Sequence, residues 1–416
     1  MASPLSPDRA GRRRPLLVFS DDWGRHPSSS QHLVRHLLPQ REVLWVNTIG
    51  TRPPRLDART ARRVIEKLGH WISPAARARG EPDAHPGEAP ALAPRIVSPR
   101  MWPSFASPRA RRLNRRLLAS ALAPLIRALP EPPIAITTLP IVADLVGVLP
   151  VHRWVYYCVD DFSQWPGYDG RTMQEMEREL VPRMDAVIAV SETLVESMAR
   201  LGARAELLTH GVELAHWTAP SSPDAAVQPA SSPARIVFWG VVDRRLDLAW
   251  VAALGEALER RGGDARIVLV GPQEDPDPRL FTLPRVECRP PVPYRDLPAL
   301  AAGASVLVMP YGDMPATRAM QPLKLKEYLA TGRPAVVRAL PATRPWAGAC
   351  DVCESPGAFV ERVLERLDTG LPGAQRQARR ALAGEDWTEK AVRFETAIDA
   401  APEPLRMEEP SCPAAC

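Results

Sequence analysis

The sequence predicts an α/β chain of two Rossmann-like domains facing each other across a cleft. Three observations predict this: 416 residues are too many for one ordinary core, a strand, loop, helix, strand pattern opens the chain, and a comparable pattern restarts after a proline-rich segment near its middle.

In the first half, Pro15 to Ser20 (P-L-L-V-F-S) reads as a buried strand. The loop D-D-W-G-R-H-P follows, and then S-S-S-Q-H-L-V-R-H-L-L, where Leu33, Leu37 and Leu38 recur at helical spacing behind a serine cap. Glu42 to Asn47 repeats the strand pattern, as a βαβ unit requires. Residues 74–94, rich in Pro, Ala, Gly and Arg, read as a mobile loop. Short strands then resume at Ile134 to Thr138, Arg153 to Val159, Asp185 to Val190 and Glu206 to Thr209. Between them, Pro108 to Leu129 patterns as a helix with Leu113, Leu117, Leu118, Leu122, Leu125, Ile126 and Leu129 along one side and Arg109, Arg112, Arg115 and Arg116 near its start. A core helix with a solvated face and a helix docked on an anionic membrane are both consistent with that pattern.

Thr218 to Ala234 has no apolar periodicity and several prolines, which marks a linker. Beyond it, Arg235 to Gly240, Arg266 to Gly271, Val286 to Cys288, Ser305 to Pro310 and Ala335 to Val337 read as strands, separated by helical patterns at Leu248 to Arg260, Leu297 to Ala302 and Leu323 to Ala330. The expected organisation is a first domain over 1–217, a linker over 218–234, a second domain over 235–384, a C-terminal helix over 385–400 and a disordered tail over 401–416.

Composition narrows the partners. An apolar fraction of 45% and a charged fraction of 24% are globular values. A net charge of +5 without a basic, aromatic-interleaved block argues against nucleic acid and suits an anionic small molecule. The basic residues are nearly all arginine; Lys67, Lys324, Lys326 and Lys390 are the lysines, and two of them lie two residues apart. Of the six cysteines, Cys350 and Cys353 form a C-x-x-C, but the only other close pair is Cys412 and Cys416 in the tail, so reduced thiols are expected rather than a metal or redox centre. Neither a signal-peptide core nor a run of ~20 apolar residues is found, and a cytoplasmic protein, in peripheral contact with the inner face of a membrane at most, is expected.

In open α/β sheets ligands sit beyond the carboxyl ends of the strands. Asp160 and Asp161 follow Y-Y-C-V; Asp243, Arg244 and Arg245 follow I-V-F-W-G; Asp313, Thr317 and Arg318 follow V-L-V-M-P-Y and lead into Q-P-L-K-L-K-E-Y-L-A-T-G-R-P. In that last segment Pro322 suits a helix start and Gly332 with Pro334 its end. Lys324 and Glu327 fall on one side of the helix, opposite Leu325 and Leu329. A lysine at a helix N-terminus suits a diphosphate, and a carboxylate one turn further in suits ribose hydroxyls; a solvated surface ion pair is the plain alternative. Trp23 and Trp165 could stack on a sugar or pack a domain edge, and at most one of His26, His32 and His210 is expected to be functional.

The segments D-D-W-G-R-H-P-S-S-S-Q-H-L, V-L-W-V-N-T-I-G-T-R, Y-Y-C-V-D-D-F, H-G-V-E, G-V-V-D-R-R-L-D, I-V-L-V-G-P, P-Y-R-D-L-P and Q-P-L-K-L-K-E-Y-L-A-T-G-R-P together resemble family 4 glycosyltransferases of the GT-B fold, in the bacterial surface-polysaccharide branch. The resemblance implies a metal-independent enzyme with no cofactor, which moves a sugar from a nucleotide-diphosphate sugar to a glycan or lipid-linked acceptor with retention at the anomeric carbon. Glu327 then corresponds to the second glutamate of an E-x7-E motif and binds the donor ribose; the first falls at Ala319, a departure from the pattern. Gln321, Pro322, Leu323 and Lys324 match the turn facing the diphosphate, with Arg318 beside them, and Arg245 a basic residue that neutralises it. The family's first-domain histidine aligns closest to Asp160, its first-loop glycine pair is replaced by Ser29 and Ser30, and Arg25 and Asp161 are expected on the acceptor side of the cleft. The expected catalytic set is Asp160, Arg245 and Lys324, with no metal ligand. Two other readings stay open: a catalytically inactive scaffold that binds nucleotide or glycan, and a sugar-nucleotide epimerase on the same double-Rossmann fold.

Overall fold

The computed structural model describes residues 13–25, 27–48, 92–218 and 233–400. Most of the expected mobile loop, nearly all of the linker, the tail, His26, Lys67, Cys412 and Cys416 lie outside these residues.

The first domain contains β1 (Leu16–Ser20), α1 (Ser29–Leu37), β2 (Val43–Asn47), β3 (Arg95–Val97), α2 (Pro108–Arg127), β4 (Ile134–Thr137), β5 (Arg153–Cys158), α3 (Gly170–Leu180), β6 (Ala186–Ala189), α4 (Glu192–Arg200) and β7 (Ala205–Leu207); the short helix α5 (Leu214–Thr218) that follows packs on the core of the second domain through Leu214 and Trp217. Its seven strands form one parallel sheet in the order β3-β2-β1-β4-β5-β6-β7. β1, β4 and β5 are buried along their whole length, because helices cover both faces of a parallel sheet; this is why they read as unbroken apolar runs.

The second domain contains β8 (Arg235–Trp239), α6 (Leu248–Arg261), β9 (Arg266–Val270), β10 (Val286–Arg289), α7 (Leu297–Ala302), β11 (Val306–Met309), α8 (Pro315–Ala319), α9 (Leu323–Ala330), β12 (Ala335–Arg338), β13 (Asp351–Cys353), α10 (Pro356–Thr369) and α11 (Gly373–Ala378). Its parallel sheet runs β10-β9-β8-β11-β12-β13. In both sheets the strand order reverses once, between β1 and β4 and between β8 and β11, and each reversal opens a crevice at the carboxyl ends of the strands.

The last helix, α12 (Trp387–Asp399), does not simply follow the second domain. It returns to the first, where Trp387, Ala391, Phe394 and Ile398 join that domain's core and Arg41 pairs with both Glu395 and Asp399. Three other details differ from expectation. Ser28 sits at the N-cap of α1, but its hydroxyl bonds Asp21 and Ser30 instead of a first-turn N–H. β3 escapes the sequence pattern because it is a three-residue, largely exposed edge strand. On α2 the buried stripe is Asn114, Leu118, Leu122 and Ile126, while Leu113 is 42% exposed instead of lying in the core. Cys350, just before β13, and Cys353, its last residue, are buried free thiols; burial pushes both up to about 12, so they are protonated and inert.

Candidate active site

The second domain places Lys324 and Glu327 where its sheet order reverses. β8 ends at Trp239 and passes into Gly240, whose φ of +132° suits glycine. The Lys324 ammonium occupies the space a β-carbon at 240 would fill. It lies 4.3 Å from the Phe238 ring centroid and donates to Tyr311 Oη at 2.5 Å. Both aromatic side chains belong to the strand ends that flank the reversal, and among the described residues the ammonium forms no salt bridge, which leaves its charge for an anion.

One turn further along α9, Glu327 Oε2 accepts from Trp239 Nε1 at 3.1 Å, and the backbone N–H of Trp239 donates to Tyr328 Oη at 3.2 Å. Burial pushes the Glu327 carboxyl up to about 7, against the opposing pull of the Trp239 N–H and Lys324. Pro322 is the N-cap of α9, one position earlier than expected, and Leu323 packs against the core of the first domain. The Gln321 carbonyl bonds His210 Nδ1 at 2.7 Å, which ties the turn before α9 to the end of the first domain.

Arg245 and Asp160 face each other from opposite domains. Arg245 is 6% exposed; its Nε lies 2.9 and 3.0 Å from the two oxygens of Asp243, and its guanidinium carbon lies 4.3 Å from the Trp165 ring centroid. Burial pushes Asp160 up to about 7; Arg245 and Trp165 pull it down, and Asp161 pushes it further up. Such a carboxyl exchanges a proton near neutrality, as a group handling an acceptor hydroxyl would need to.

Other expected site residues are placed differently. Arg318 is 60% exposed and forms a two-pronged pair with Asp313 on the surface. Asp161 orders its own loop, accepting from the Ser163 N–H at 3.1 Å and hydroxyl at 2.6 Å. Ser29 and Ser30 are buried, and Ser30 lies 2.9 Å from Ser20 Oγ within a network that includes Asp21 and Ser28. Arg25 pairs loosely with Asp22 at 3.5 Å. Trp23 packs edge-on against Trp45 and His32 stacks on Trp387, so both serve packing. Ala319, at the position of the missing glutamate, is buried and its carbonyl accepts from Ser191 Oγ across the domain boundary.

Lys326, two residues from Lys324, lies apart from it in the structure. It is 2% exposed, pairs with Glu385 at 2.5 Å and bonds Thr209 Oγ1 and the His210 carbonyl. A cavity of about 340 Å³ between the domains lies on this side of α9, lined in part by Thr209, Gln321, Lys326, Trp346 and Glu385. None of Lys324, Glu327, Arg245 and Asp160 lines it, so its size does not mark it as the place of chemistry. Sequence reasoning missed Trp239, Tyr311 and the clamping role of Asp243. The available signal for the first two was an aromatic residue at or just beyond the end of an inner strand.

Residues 233–369 match the family described as glycosyl transferases group 1. A Bacillus subtilis protein described as a teichuronic acid biosynthesis glycosyltransferase, TuaH, is 24% identical over 231 residues, covering 52% of this chain and 57% of that protein. The matched region thus spans little more than half of the relative's length. Among solved structures, Anabaena HepE in complex with UDP-glucose superposes with a TM-score of 0.63 at 11% identity, over 92% of this chain and 98% of HepE. A UDP-forming trehalose-phosphate synthase from Burkholderia xenovorans gives 0.60 at 14% identity, over 94% and 100%. At these identities the likeness shows the fold: the two-domain α/β architecture of GT-B glycosyltransferases.

Proposed function

We propose that the protein is a glycosyltransferase that binds a nucleotide-diphosphate sugar on its second domain and transfers the sugar, with retention, to a glycan or lipid-linked acceptor presented by the first, in bacterial surface-polysaccharide or glycoconjugate synthesis. The observation that carries this reading is the pairing on α9: Lys324, held by the Phe238 ring and Tyr311 Oη, beside Glu327, held by Trp239, where the strand order reverses. Lys324 and Arg245 face the diphosphate, Glu327 accepts hydrogen bonds from the ribose, and Asp160 takes the acceptor proton. The group 1 match over the second domain and the UDP-glucose in HepE support a UDP-sugar as donor. The likeness to TuaH supports polymer synthesis. The likeness to a trehalose-phosphate synthase favours a second reading, in which a sugar phosphate is the acceptor.

The first domain supports membrane contact as well. Arg109, Arg112, Arg115 and Arg116 are exposed near the start of α2, with Trp102 and Leu113 exposed close by: the Trp102 backbone is bonded to Asn114. Basic side chains around exposed apolar ones suit an anionic lipid surface. Among the described residues no helix is long and apolar enough to cross a membrane.

The test is a panel of nucleotide sugars screened for thermal stabilisation, where a ligand at 100 times its Kd adds ~2.7 kcal/mol. Stabilisation by a UDP-sugar, followed by its turnover with a glycan, lipid-linked sugar or sugar-phosphate acceptor, is expected. Binding without turnover or slow hydrolysis would favour the inactive scaffold, and isomerisation of the sugar nucleotide without an acceptor would favour the epimerase.

A further inference from the structure

Trp165 belongs to the first domain but touches the second. It lies in the loop between β5 and α3, and its ring covers the guanidinium of Arg245, whose carbon is 4.3 Å from the ring centroid. At that distance a cation is attracted to the ring face. Its indole N–H is buried with no hydrogen-bond partner among the described residues, and it favours the ionised form of Asp160. The face of this side chain therefore meets Arg245, and its buried, unpartnered N–H is the group left to serve Asp160.

The loop that carries it is built rather than slack. Asp161 fixes Ser163, the Tyr168 N–H bonds the Trp165 carbonyl at 3.2 Å, and Asp169 caps α3 through the Thr172 N–H at 3.2 Å and hydroxyl at 2.6 Å. Gly170 lies so close to the Ser163 carbonyl that a β-carbon would overlap it. On the other side of the cleft, Asp243 fixes Arg245. Trp165 and Arg245 thus meet as two positioned groups.

We propose that Trp165 is a positioning residue that couples the two halves of the transfer, its ring holding Arg245 for the donor diphosphate while its N–H holds Asp160 for the acceptor hydroxyl. This rests on the glycosyltransferase reading above. In the step it serves, the acceptor oxygen forms a bond to the anomeric carbon as the bond from that carbon to the diphosphate oxygen breaks. The bonding pair leaves with the diphosphate, opposite Arg245 and Lys324, and the hydroxyl proton passes to Asp160. Arrival of the diphosphate offsets the positive field of Arg245 at Asp160 and raises the proton affinity of that carboxylate before the proton must be accepted. Trp165 limits the rise, which keeps a larger share of Asp160 ionised than its burial alone would leave. The other groups coupled to Asp160, namely Asp161, Tyr157 and Cys158, are untouched by substitution at 165.

The experiment compares wild type, Trp165→Phe and Trp165→Ala in the full chain, with UDP as the probe and GDP as its substitute if UDP does not bind. Calorimetry in two buffers of different ionisation enthalpy gives both affinity and proton uptake on binding from pH 5.5 to 9, and melting curves confirm folding. Trp165→Phe keeps a ring face over Arg245 and loses the N–H. Its affinity should stay within about twofold, while the pH of maximal proton uptake moves up by about half a unit or more. Trp165→Ala should show the same upward move and a three- to tenfold loss of affinity, roughly the loss of a cation–π contact. Protons released by Glu327 and exchanged by the nucleotide itself are common to all three proteins and cancel in the comparison. If both variants keep the wild-type affinity and uptake profile, or lose affinity equally with an unmoved profile, Trp165 only packs its loop. If wild-type protein binds neither nucleotide, the parent reading fails as well, which separates the two outcomes.

Discussion

Gly240 and Lys324 share one space: the lysine ammonium lies where any larger residue at 240 would put its β-carbon. A backbone position at a strand end and a charge on a helix 84 residues further along the chain are thereby made interdependent, and this permits a direct test. Gly240→Ala must both adopt φ near +132° and displace the ammonium from Phe238 and Tyr311. Strain at such a position costs about 1–3 kcal/mol. Gly262→Ala at φ +76°, with no atom near its β-carbon, carries strain alone. Both variants should melt lower than wild type, and only Gly240→Ala should lose nucleotide affinity in titration. Equal affinities would show that Lys324 does not depend on the glycine.

Lys326 makes the opposite case, a buried cation whose task is to hold the domains together. Its partner Glu385 also bonds Lys390 at 2.7 Å, so Lys326→Met leaves the carboxylate one cation. A loss of about 3 kcal/mol, the low end for a broken buried pair, is expected in denaturant melts, with turnover of the folded protein near normal. Full stability with reduced turnover would move Lys326 into the chemistry.

This contrast shows what was legible in the sequence and what was not. The alternation of apolar strands with helices gave both parallel sheets, because a strand buried on two faces has to be apolar throughout. The short, well-delimited helix carrying Lys324 and Glu327 could be placed at a strand end for the same reason. Helical spacing put Lys324 on the side of Glu327, but it could not say what Lys326 meets, since that depends on how α9 sits between Thr209, Glu385 and the β8 end. Nor could it show that α12 crosses back to the first core, or that Ser29 is buried and Ser30 taken up by internal bonding. Those are contacts between elements far apart in the chain, and no local pattern encodes them.

Lys324 and Glu327 should fail in different ways. Glu327→Ala removes a charge-assisted hydrogen bond to the ribose, worth about 1.5–3 kcal/mol, and should weaken nucleoside diphosphate and nucleotide sugar alike. Lys324→Ala removes a charge whose value grows as negative charge collects on the leaving diphosphate, and should lower kcat more than it weakens donor binding. Steady-state kinetics with parallel titrations separate the two. Unchanged nucleotide affinity in folded Glu327→Ala protein would leave α9 without a ribose site.

On the first domain, the exposed arginines of α2 and the exposed Trp102 and Leu113 should bind vesicles containing anionic lipid and release them as salt rises, since surface charges are screened beyond ~8 Å at physiological ionic strength. Replacing Arg112, Arg115 and Arg116 together by glutamine should abolish sedimentation with such vesicles and leave turnover of a soluble acceptor intact. Absence of binding at low salt would return α2 to a helix with a solvated face.

Three buried carboxyls, Asp160, Glu177 and Glu327, are each pushed up to about 7, chiefly by burial, and this predicts opposite pH trends for stability and binding. In the unfolded chain they release their protons near their ordinary values of 3.8 or 4.5, whereas the folded protein retains them to about 7. Between those limits the folded state binds more protons. The stabilisation from the neutral carboxyls is therefore complete below the unfolded values and is lost as pH rises through about 7. Donor binding needs the ionised Glu327 and should strengthen over the same interval. Glu327→Gln should thus raise the melting temperature relative to wild type at pH 8 and change it little at pH 4, while flattening the pH dependence of nucleotide affinity. Glu177 accepts from Tyr156 Oη at 2.6 Å between β5 and α3, away from Lys324, and serves as the comparison. Glu177→Gln should reproduce the gain in stability at pH 8 and leave the affinity profile as in wild type. If Glu327→Gln alters neither profile, its carboxyl is already ionised throughout; if Glu177→Gln flattens the affinity profile equally, the pH dependence of binding belongs to the fold at large and not to the ribose contact.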